Sequence, residues 1–227
     1  DQLRARGHDV ALRTLASQVE AMRSYGLDAE PIDPAIERIE HDDFGTRTPI
    51  GAQRRAVRTF CSRAKLDAQD LRDAIQKQRP DVLLIDVASW GAMAAAEAWG
   101  GPWASWCPYP LPLPSRDAPP FGPGLRPARG VLGRMRDSAL RPLLLGALER
   151  IVKPRVNEIR ERCGVAPVAD AAGLLLSAPL LLYMTAEPFE YPRSDWHRVC
   201  VWSVPATGSR RPIRPPGWPR CASRSCS

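Results

Sequence analysis

Asp86 is the residue of this sequence whose position best suits acid–base chemistry. It directly follows four apolar residues, Val82 to Ile85, and such a run without alternation is typical of a strand buried on both faces of a parallel sheet. Its carboxylate would therefore emerge at the carboxyl end of the strand, beside the N-terminus of the next helix. There it either caps that helix or orients a catalytic base. The sequence leaves both roles open.

Residues able to contact a ligand follow in the same region. Ser89 offers a second cap at the same helix start, and Trp90 and Tyr109 stand at the ends of predicted elements. Aromatic side chains there either pack in the core or stack on a hydrophobic or ring-shaped ligand. From Cys107 the chain continues as a long proline-rich loop, a kind of segment that is usually functional or disordered.

No metal site is predicted. His8 follows Gly7 at a helix-to-strand turn, where a structural role is favoured, and His41 lies in a polar loop whose spacing no element fixes. His197 adjoins a basic tail. The pair Cys221 and Cys226 lacks the second ligand pair that zinc needs.

Nucleotide-binding and hydrolase motifs are also weak. The Gly122-x-Gly124 sequence lies in the proline-rich loop, neither following a strand nor opening a helix, so it is a poor dinucleotide fingerprint. The chain has no Walker-type Gly-Lys-Ser/Thr and no Gly-x-Ser-x-Gly. A Rossmann-type oxidoreductase therefore ranks low.

The elements that position these residues alternate between strand and helix. This order predicts an α/β domain with a doubly wound parallel sheet, whose ligand crevice lies beyond the carboxyl ends of the strands. We expect strands at 8–14, 27–32, 82–85 (closed by Asp86), 102–106 and 180–185. We expect helices at 1–6, at 17–26 with a Ser17/Glu20 capping box, at 52–78 with a break near Leu66, at 90–99, at 131–163 with interruptions at Pro142 and Pro154, and after Asp170 as a cap.

Charge is concentrated at one end of the 227-residue chain. The net charge of +7 comes almost entirely from residues 198–227, which hold arginines and no acidic residue. Because the remainder is nearly neutral, a nucleic-acid partner is not expected. Residues 198–227, rich in Pro, Arg, Ser and Cys and without a strand or helix pattern, are expected to be out-of-frame or otherwise non-native sequence, or else a disordered extension.

Cysteine use and hydropathy bear on the compartment. Cys61, Cys107 and Cys163 fall in apolar or helical patterns, which predicts buried free thiols in a reducing compartment. No apolar run approaches the roughly 18 residues of a membrane span. We therefore expect a cytoplasmic protein without stable membrane insertion.

Three motifs together resemble one enzyme family. They are Arg6-Gly7-His8-Asp9-Val10 after an amphipathic helix, the block RPDVLLIDVASWGAMAAAEAWGGPWASWCPYPLPLPS at 79–115, and PPFGPGLRP at 119–127. They are similar to sequences of the GT-B glycosyltransferases that modify macrolides and other natural products, which are related to UDP-glucuronosyl- and plant glucosyltransferases. The resemblance extends over about residues 1–197.

The resemblance implies that residues 1–197 are the acceptor-binding, Rossmann-like N-terminal half of a GT-B fold. Asp86 matches the family's Asp that orients a catalytic His, and the acceptor pocket would be lined by Ser89, Trp90, Pro108 and Tyr109. It also implies no metal and no cofactor, since the nucleotide-sugar is a co-substrate. We expect the family's first strand, with that His, to be missing upstream of Asp1, and the nucleotide-sugar site to lie outside this chain.

The expected function follows from the resemblance. The parent enzyme would transfer a sugar from a nucleotide-sugar to a hydroxyl of a small hydrophobic acceptor, with inversion, and this chain alone would be inactive. A non-catalytic binding module or a degenerate gene product is the alternative. Loss of a central strand would leave exposed sheet edges, which favour self-association and marginal stability.

Overall fold

The computed structural model describes residues 2–39, 48–110, 113–121, 124–128, 130–185 and 190–202. All strand pairings within them are parallel, so the α/β class with parallel strands is confirmed. The helices are α1 Gln2–Ala5, α2 Ala16–Ser24, α3 Pro34–Glu37, α4 Pro49–Gln78, α5 Trp90–Trp99, α6 Gly130–Cys163 and α7 Ala171–Leu175. The strands are β1 Ala11–Thr14, β2 Asp28–Pro31, β3 Leu83–Asp86, β4 Trp103–Cys107, β5 Leu181–Tyr183 and β6 Cys200–Trp202.

The strands are divided between two sheets. β1 pairs with β2, and β3, β4, β5 and β6 form a second sheet in chain order. Parallel neighbours need a crossover, which α5 supplies between β3 and β4, while α6 and α7 lie between β4 and β5. Within the described residues no strand joins the two sheets, so β1 and β3 each have one open edge.

The open edge changes the environment of β3. Leu83 and Ile85 are buried, but the Leu84 side chain, on the opposite face, is 54% exposed and that of Val82 is 64% exposed. The prediction that this strand is buried on both faces is therefore wrong. β3 lies at the edge of its sheet, and the described helices cover only one of its faces. Its residues do not alternate between apolar and polar, so the exposure of the other face could not be predicted from the sequence pattern.

The two long helices are continuous. α4 is capped by Thr48, whose hydroxyl accepts from the Gly51 N–H at 3.1 Å. It is followed by Arg79, which has a left-handed backbone with φ of 48°. The predicted break near Leu66 does not occur. α6 continues through both Pro142 and Pro154, so the predicted interruptions are also wrong; an internal proline removes one helical hydrogen bond without ending the helix.

Two further predictions about helix starts have opposite outcomes. The capping box is wrong, because α2 begins at Ala16 and the Ser17 hydroxyl instead donates to Glu37 of α3 at 3.3 Å. The cap at Asp170 is confirmed, since its carboxylate accepts from the Gly173 N–H at 2.7 Å.

The core has two apolar clusters. One lies between the larger sheet and α5, and the other joins α4, α5, α6 and α7. Their central members are Leu83, Ile85, Met93, Ala96, Trp103, Leu181 and Tyr183 in the first, and Val57, Ala64, Trp90, Ala94, Val156 and Leu174 in the second. Both clusters meet at α5, the helix that follows Asp86.

The structure shortens the predicted tail. No strand is expected after Arg198, but Cys200–Trp202 is β6 and pairs with β5. Residues 203–227, with Cys221 and Cys226, lie outside the described residues, as do His41 and Gly122. None of the helices described is long and apolar enough to cross a membrane.

Candidate functional site

Asp86 is the last residue of β3 and shapes the turn into α5. Its Oδ1 accepts from the Ala88 N–H at 2.7 Å, and its main-chain carbonyl accepts from the Ser89 N–H at 3.0 Å. The N-cap of α5 is Ser89, whose side chain makes no capping bond. The capping roles weighed for Asp86 and Ser89 are therefore not found. Asp86 Oδ2 accepts no hydrogen bond from the described part of the chain.

The charge of Asp86 is partly compensated. Burial raises the pKa of the Asp86 carboxyl, while the Ala88 N–H and the positive charge of Arg63 lower it. Desolvation is the largest of these effects, so the carboxylate is held in a site that penalises its ionised form. A carboxylate with one free oxygen in such a place can accept a hydrogen bond from an imidazole or a hydroxyl group.

The end of β4 lies beside Asp86. The Cys107 thiol donates to the Tyr109 main-chain carbonyl at 3.1 Å, Pro108 is exposed, and Tyr109 is 43% exposed. Burial raises the pKa of the Cys107 thiol to about 12 and also raises that of the Tyr109 phenol, and the Asp86 charge adds to both increases. The structure thus brings Asp86, Ser89, Pro108 and Tyr109 to the carboxyl end of the sheet.

Trp90 has a different environment. Its side chain is buried, and its ring centroid lies 5.0 Å from that of Phe60 on α4. It belongs to the second core cluster. This position favours packing, one of the two roles that the sequence left open, over contact with a ligand.

Two charged residues of α4 were missed by sequence analysis. Arg63 Nη2 lies 3.5 Å from Asp67 Oδ1, and Asp67 is 6% exposed. Burial raises the pKa of Asp67 to about 6, against the attraction of Arg63 and with the repulsion of Asp70 and Asp86. The available signal was an i, i+4 pair of opposite charges on the helix face that also carries Ala64 and Ala68.

The proline-rich loop after β4 is fastened to the segment before β6. Ser115 Oγ donates to Asp195 Oδ1 at 2.7 Å, and the Arg116 N–H donates to the other oxygen at 2.8 Å. In return, Asp117 Oδ2 accepts from the N–H and the hydroxyl of Ser194 at 2.6 and 2.7 Å. We call these four reciprocal bonds the loop clamp. They hold residues 115–117 against residues 194–195.

Among the described residues, neither a histidine bonded to Asp86 nor a group of metal ligands is found. His8 and His197 are exposed and neither is hydrogen-bonded to Asp86. Cys61, Cys107, Cys163 and Cys200 are free thiols. Within the described ranges, no three His, Cys, Asp or Glu side chains are grouped so that they could hold a metal ion.

Comparisons with known proteins connect the chain to one group. No family model matches it. It is 30% identical over 152 residues to 4'-demethylrebeccamycin synthase of Lentzea aerocolonigenes, a match that covers 66% of this chain and 36% of that protein. The chain thus spans about a third of the length of this curated relative.

Among solved structures, three glycosyltransferases are similar to this chain over part of their length. The glycotransferase of kitacinnamycin is 22% identical, with a TM-score of 0.49 and coverage of 81% of this chain and 40% of that one. Glycosyltransferase VinC in complex with dTDP is 20% identical, with a TM-score of 0.47 and coverage of 85% of this chain and 46% of that one. The glycosyltransferase SsfS6 of Streptomyces sp. SF2575 is 17% identical, with a TM-score of 0.44 and coverage of 86% of this chain and 50% of that one.

Proposed function

From the premise that this chain is related, over part of its length, to the GT-B glycosyltransferases of natural-product biosynthesis, we propose that it forms the acceptor-binding part of such an enzyme. The reaction is transfer of a sugar from a nucleotide-sugar to a hydroxyl of a small hydrophobic acceptor, with inversion. The observation that carries this proposal is the identity of 30% over 152 residues with the curated relative.

The geometry at the end of β3 supports an acceptor site. Tyr109 and Pro108 offer a partly exposed apolar surface, and aromatic rings suit a hydrophobic ligand. Asp86 provides a free carboxylate oxygen beside them. Ser89 adds a hydroxyl in the same turn. A hydrophobic acceptor bearing a hydroxyl matches this combination of surfaces.

The proposed role of Asp86 is to orient a base. In an inverting transfer the acceptor hydroxyl attacks the anomeric carbon, its proton passes to a base, and the nucleoside diphosphate leaves with the electrons of the broken bond. A carboxylate that accepts the N–H of an imidazole fixes its tautomer and stabilises the imidazolium that forms. We assign that role to Asp86 Oδ2, with the imidazole supplied from outside the described residues.

Calorimetry of the 227-residue chain tests this function. We expect hydroxylated polycyclic aromatic acceptors to bind, and UDP-glucose, dTDP-glucose and nicotinamide cofactors not to bind. Tyr109→Ala should weaken acceptor binding by about tenfold, the usual loss for one aromatic contact of about 1.4 kcal/mol. Leu132→Ala, an exposed position on α6, is the matched control. Absence of acceptor binding, or sugar transfer by this chain alone, would contradict the proposal.

Two minor proposals accompany it. The four free thiols within the described ranges support a reducing compartment, the cytoplasm. The open edge of β3 and the exposed Leu84 support self-association through sheet edges.

A further inference from the structure

Glu190 is a buried carboxylate whose two oxygens both accept hydrogen bonds. The Tyr183 hydroxyl donates to Oε2, while Arg193 Nη2 and the Tyr191 N–H donate to Oε1 at 3.1 and 2.9 Å. The Glu190 and Arg193 side chains are 2% and 8% exposed. A buried ion pair with this many additional donors holds its members in one geometry. Glu190 is therefore a fixed point in the part of the chain that follows β5.

The Arg193 guanidinium connects this fixed point to the proline-rich loop after β4. Its Nη1 donates to the main-chain carbonyl of Leu113 at 2.9 Å. Its Cζ lies 4.9 Å from the ring centroid of Trp196, which packs in turn against the Tyr183 ring at 5.4 Å. Because the guanidinium is planar and its donors point in fixed directions, it sets the position of Leu113 relative to Glu190.

The Tyr183 hydroxyl connects Glu190 to the end of β4 as well. Tyr183 is the last residue of β5 and pairs with Cys107, the last residue of β4. The Met184 N–H donates to the Cys107 carbonyl at 2.9 Å, and the Cys107 thiol donates to the Tyr109 carbonyl at 3.1 Å. Glu190 is thus linked to the chain before Tyr109 through Tyr183, and after Tyr109 through Arg193.

Other described contacts hold the proline-rich loop further along the chain. The loop clamp engages residues 115–117, and Arg141 of α6 donates to the main-chain carbonyls of residues 115 and 118. Leu113 precedes these positions, so the bond from Arg193 lies nearer to Tyr109 in sequence. Loss of that bond should therefore affect Tyr109 more directly than loss of the others.

We propose that Arg193 and Glu190 are positioning residues for Tyr109. The pair holds the chain at Cys107 on one side and at Leu113 on the other, so the partly exposed Tyr109 ring keeps one arrangement. A ligand then meets a surface that is already ordered, which reduces the entropy lost on binding. The assignment rests on the proposed function only for the identity of the ligand, since the placement of Tyr109 is a property of this chain.

NMR of the full chain with 13C-labelled tyrosine rings tests the placement without any ligand. The Tyr109 resonance is assigned by its loss in Tyr109→Phe, and Tyr25, which is 69% exposed after α2, is the internal reference. Arg193→Gln should shift the Tyr109 resonance, because the bridge between Glu190 and Leu113 is lost. It should leave the Tyr25 resonance unchanged. Acceptor binding should weaken about as much as in Tyr109→Ala.

The matched control is Arg160→Gln. Arg160 is also buried, and it also donates to a carboxylate, that of Glu97, and to a main-chain carbonyl, that of Ala166. Its loss should lower stability in a similar way but leave the Tyr109 resonance unchanged at a temperature where the variant is folded. Equal Tyr109 shifts in the two variants would indicate a general effect of destabilisation and overturn the proposal. An unshifted Tyr109 resonance in Arg193→Gln would also overturn it.

A double variant keeps the test decisive if Arg193→Gln does not fold. Arg193→Met combined with Glu190→Gln leaves no unpaired buried charge, so the fold should be kept, while the Leu113 carbonyl still loses its donor. An unshifted Tyr109 resonance in this double variant overturns the proposal.

The two proposals can fail separately. If the Tyr109 resonance shifts as expected but no acceptor binds the unchanged chain, the positioning stands and the proposed function fails. If an acceptor binds the unchanged chain but the Tyr109 resonance does not shift in the Arg193 variants, the proposed function stands and the positioning is overturned.

Discussion

Arg160 of α6 donates through both terminal nitrogens to the two carboxylate oxygens of Glu97 on α5, at 2.9 and 2.7 Å. Its Nε donates to the Ala166 carbonyl at 2.6 Å, and Arg160 is 4% exposed. This bidentate pair ties the last turn of α5 to α6. It lies at the far end of the helix whose first turns contact α4, so both ends of α5 are held by specific contacts.

The Arg160–Glu97 pair should contribute more to stability than the exposed ion pairs of α6. Arg160→Gln leaves Glu97 and the Ala166 carbonyl without their donor, and loss of one partner of a buried pair costs about 3 kcal/mol. Arg162→Gln breaks the exposed pair with Glu158, which contributes less than about 0.5 kcal/mol. Urea unfolding of both variants measures the difference. Equal losses would show that burial does not set the strength of these pairs.

Gly91→Ala should destabilise the fold although alanine favours helices. The new methyl group would overlap the Ala64 carbonyl, and forcing the helices apart costs about 1–3 kcal/mol. Gly146→Ala is the control, since no atom lies within 4 Å of a Cβ there and the change should stabilise α6 by up to about 1 kcal/mol. Thermal unfolding of the two variants should therefore shift in opposite directions, and shifts of the same sign would refute the close approach.

Asp67→Asn should stabilise the chain in a pH-dependent way. The pKa of Asp67 is raised by burial to about 6 in the folded chain from its ordinary 3.8, so the folded state binds the proton more tightly. Stability of the unchanged chain therefore falls as pH rises from 4 to 6, whereas the neutral asparagine has no such loss. At pH 7.5 the variant should gain about 2 kcal/mol relative to its difference at pH 4.

The control for this pH dependence is Asp73→Asn, an exposed site on the same helix. Because Asp73 is exposed, this variant should lack the gain expected for Asp67→Asn. Chemical denaturation at several pH values between 4 and 7.5 measures both differences. A gain for Asp67→Asn that is constant with pH would contradict the raised pKa.

The loop clamp should protect the proline-rich loop from proteolysis. Asp117→Ala removes the acceptor for two hydrogen bonds, from the N–H and the hydroxyl of Ser194. Cleavage within 113–121 should therefore become faster, because the loop opens more often. Asp9→Ala, at an exposed position before β1, is the control. Unchanged cleavage in Asp117→Ala would show that other contacts hold the loop.

Self-association should depend on the edge of β3. Leu84→Lys places a charge beside an open row of backbone donors and acceptors, a change that blocks edge pairing. Sedimentation velocity at increasing concentration should show less association for this variant than for the unchanged chain. Leu132→Lys alters an apolar side chain that is 82% exposed on a helix. If Leu132→Lys rather than Leu84→Lys reduces association, the helix face and not the strand edge is responsible.

Local signals predicted the elements around the site well. The span of α5 followed from its alanine-rich sequence and the Gly100–Gly101 stop, and Asp86 was placed at a strand end because the apolar run ends there. Asp170 capped its helix as expected. In these cases the residues that determine the structure are adjacent in sequence.

The failures required partners distant in sequence. Glu37 takes the Ser17 hydroxyl that was predicted to cap α2, and β6 exists as a partner for β5. The turn of α4 at Ala64 lies against the start of α5 because Gly91 leaves room for the Ala64 backbone. No local sequence pattern predicts such a helix crossing. A pair of opposite charges on an otherwise apolar helix face indicates only that this face is packed against another element.

The division into two sheets has a consequence for cooperativity. β1 and β2 share no ladder with the larger sheet, and the polar contacts that connect them to it run through α4, by way of Asp70 and Lys77. Such an arrangement separates into units that open independently. Amide hydrogens of β1 and β2 should exchange with one opening free energy and those of β4 and β5 with a larger one, and fraying of α4 near Lys77 should release the smaller unit first.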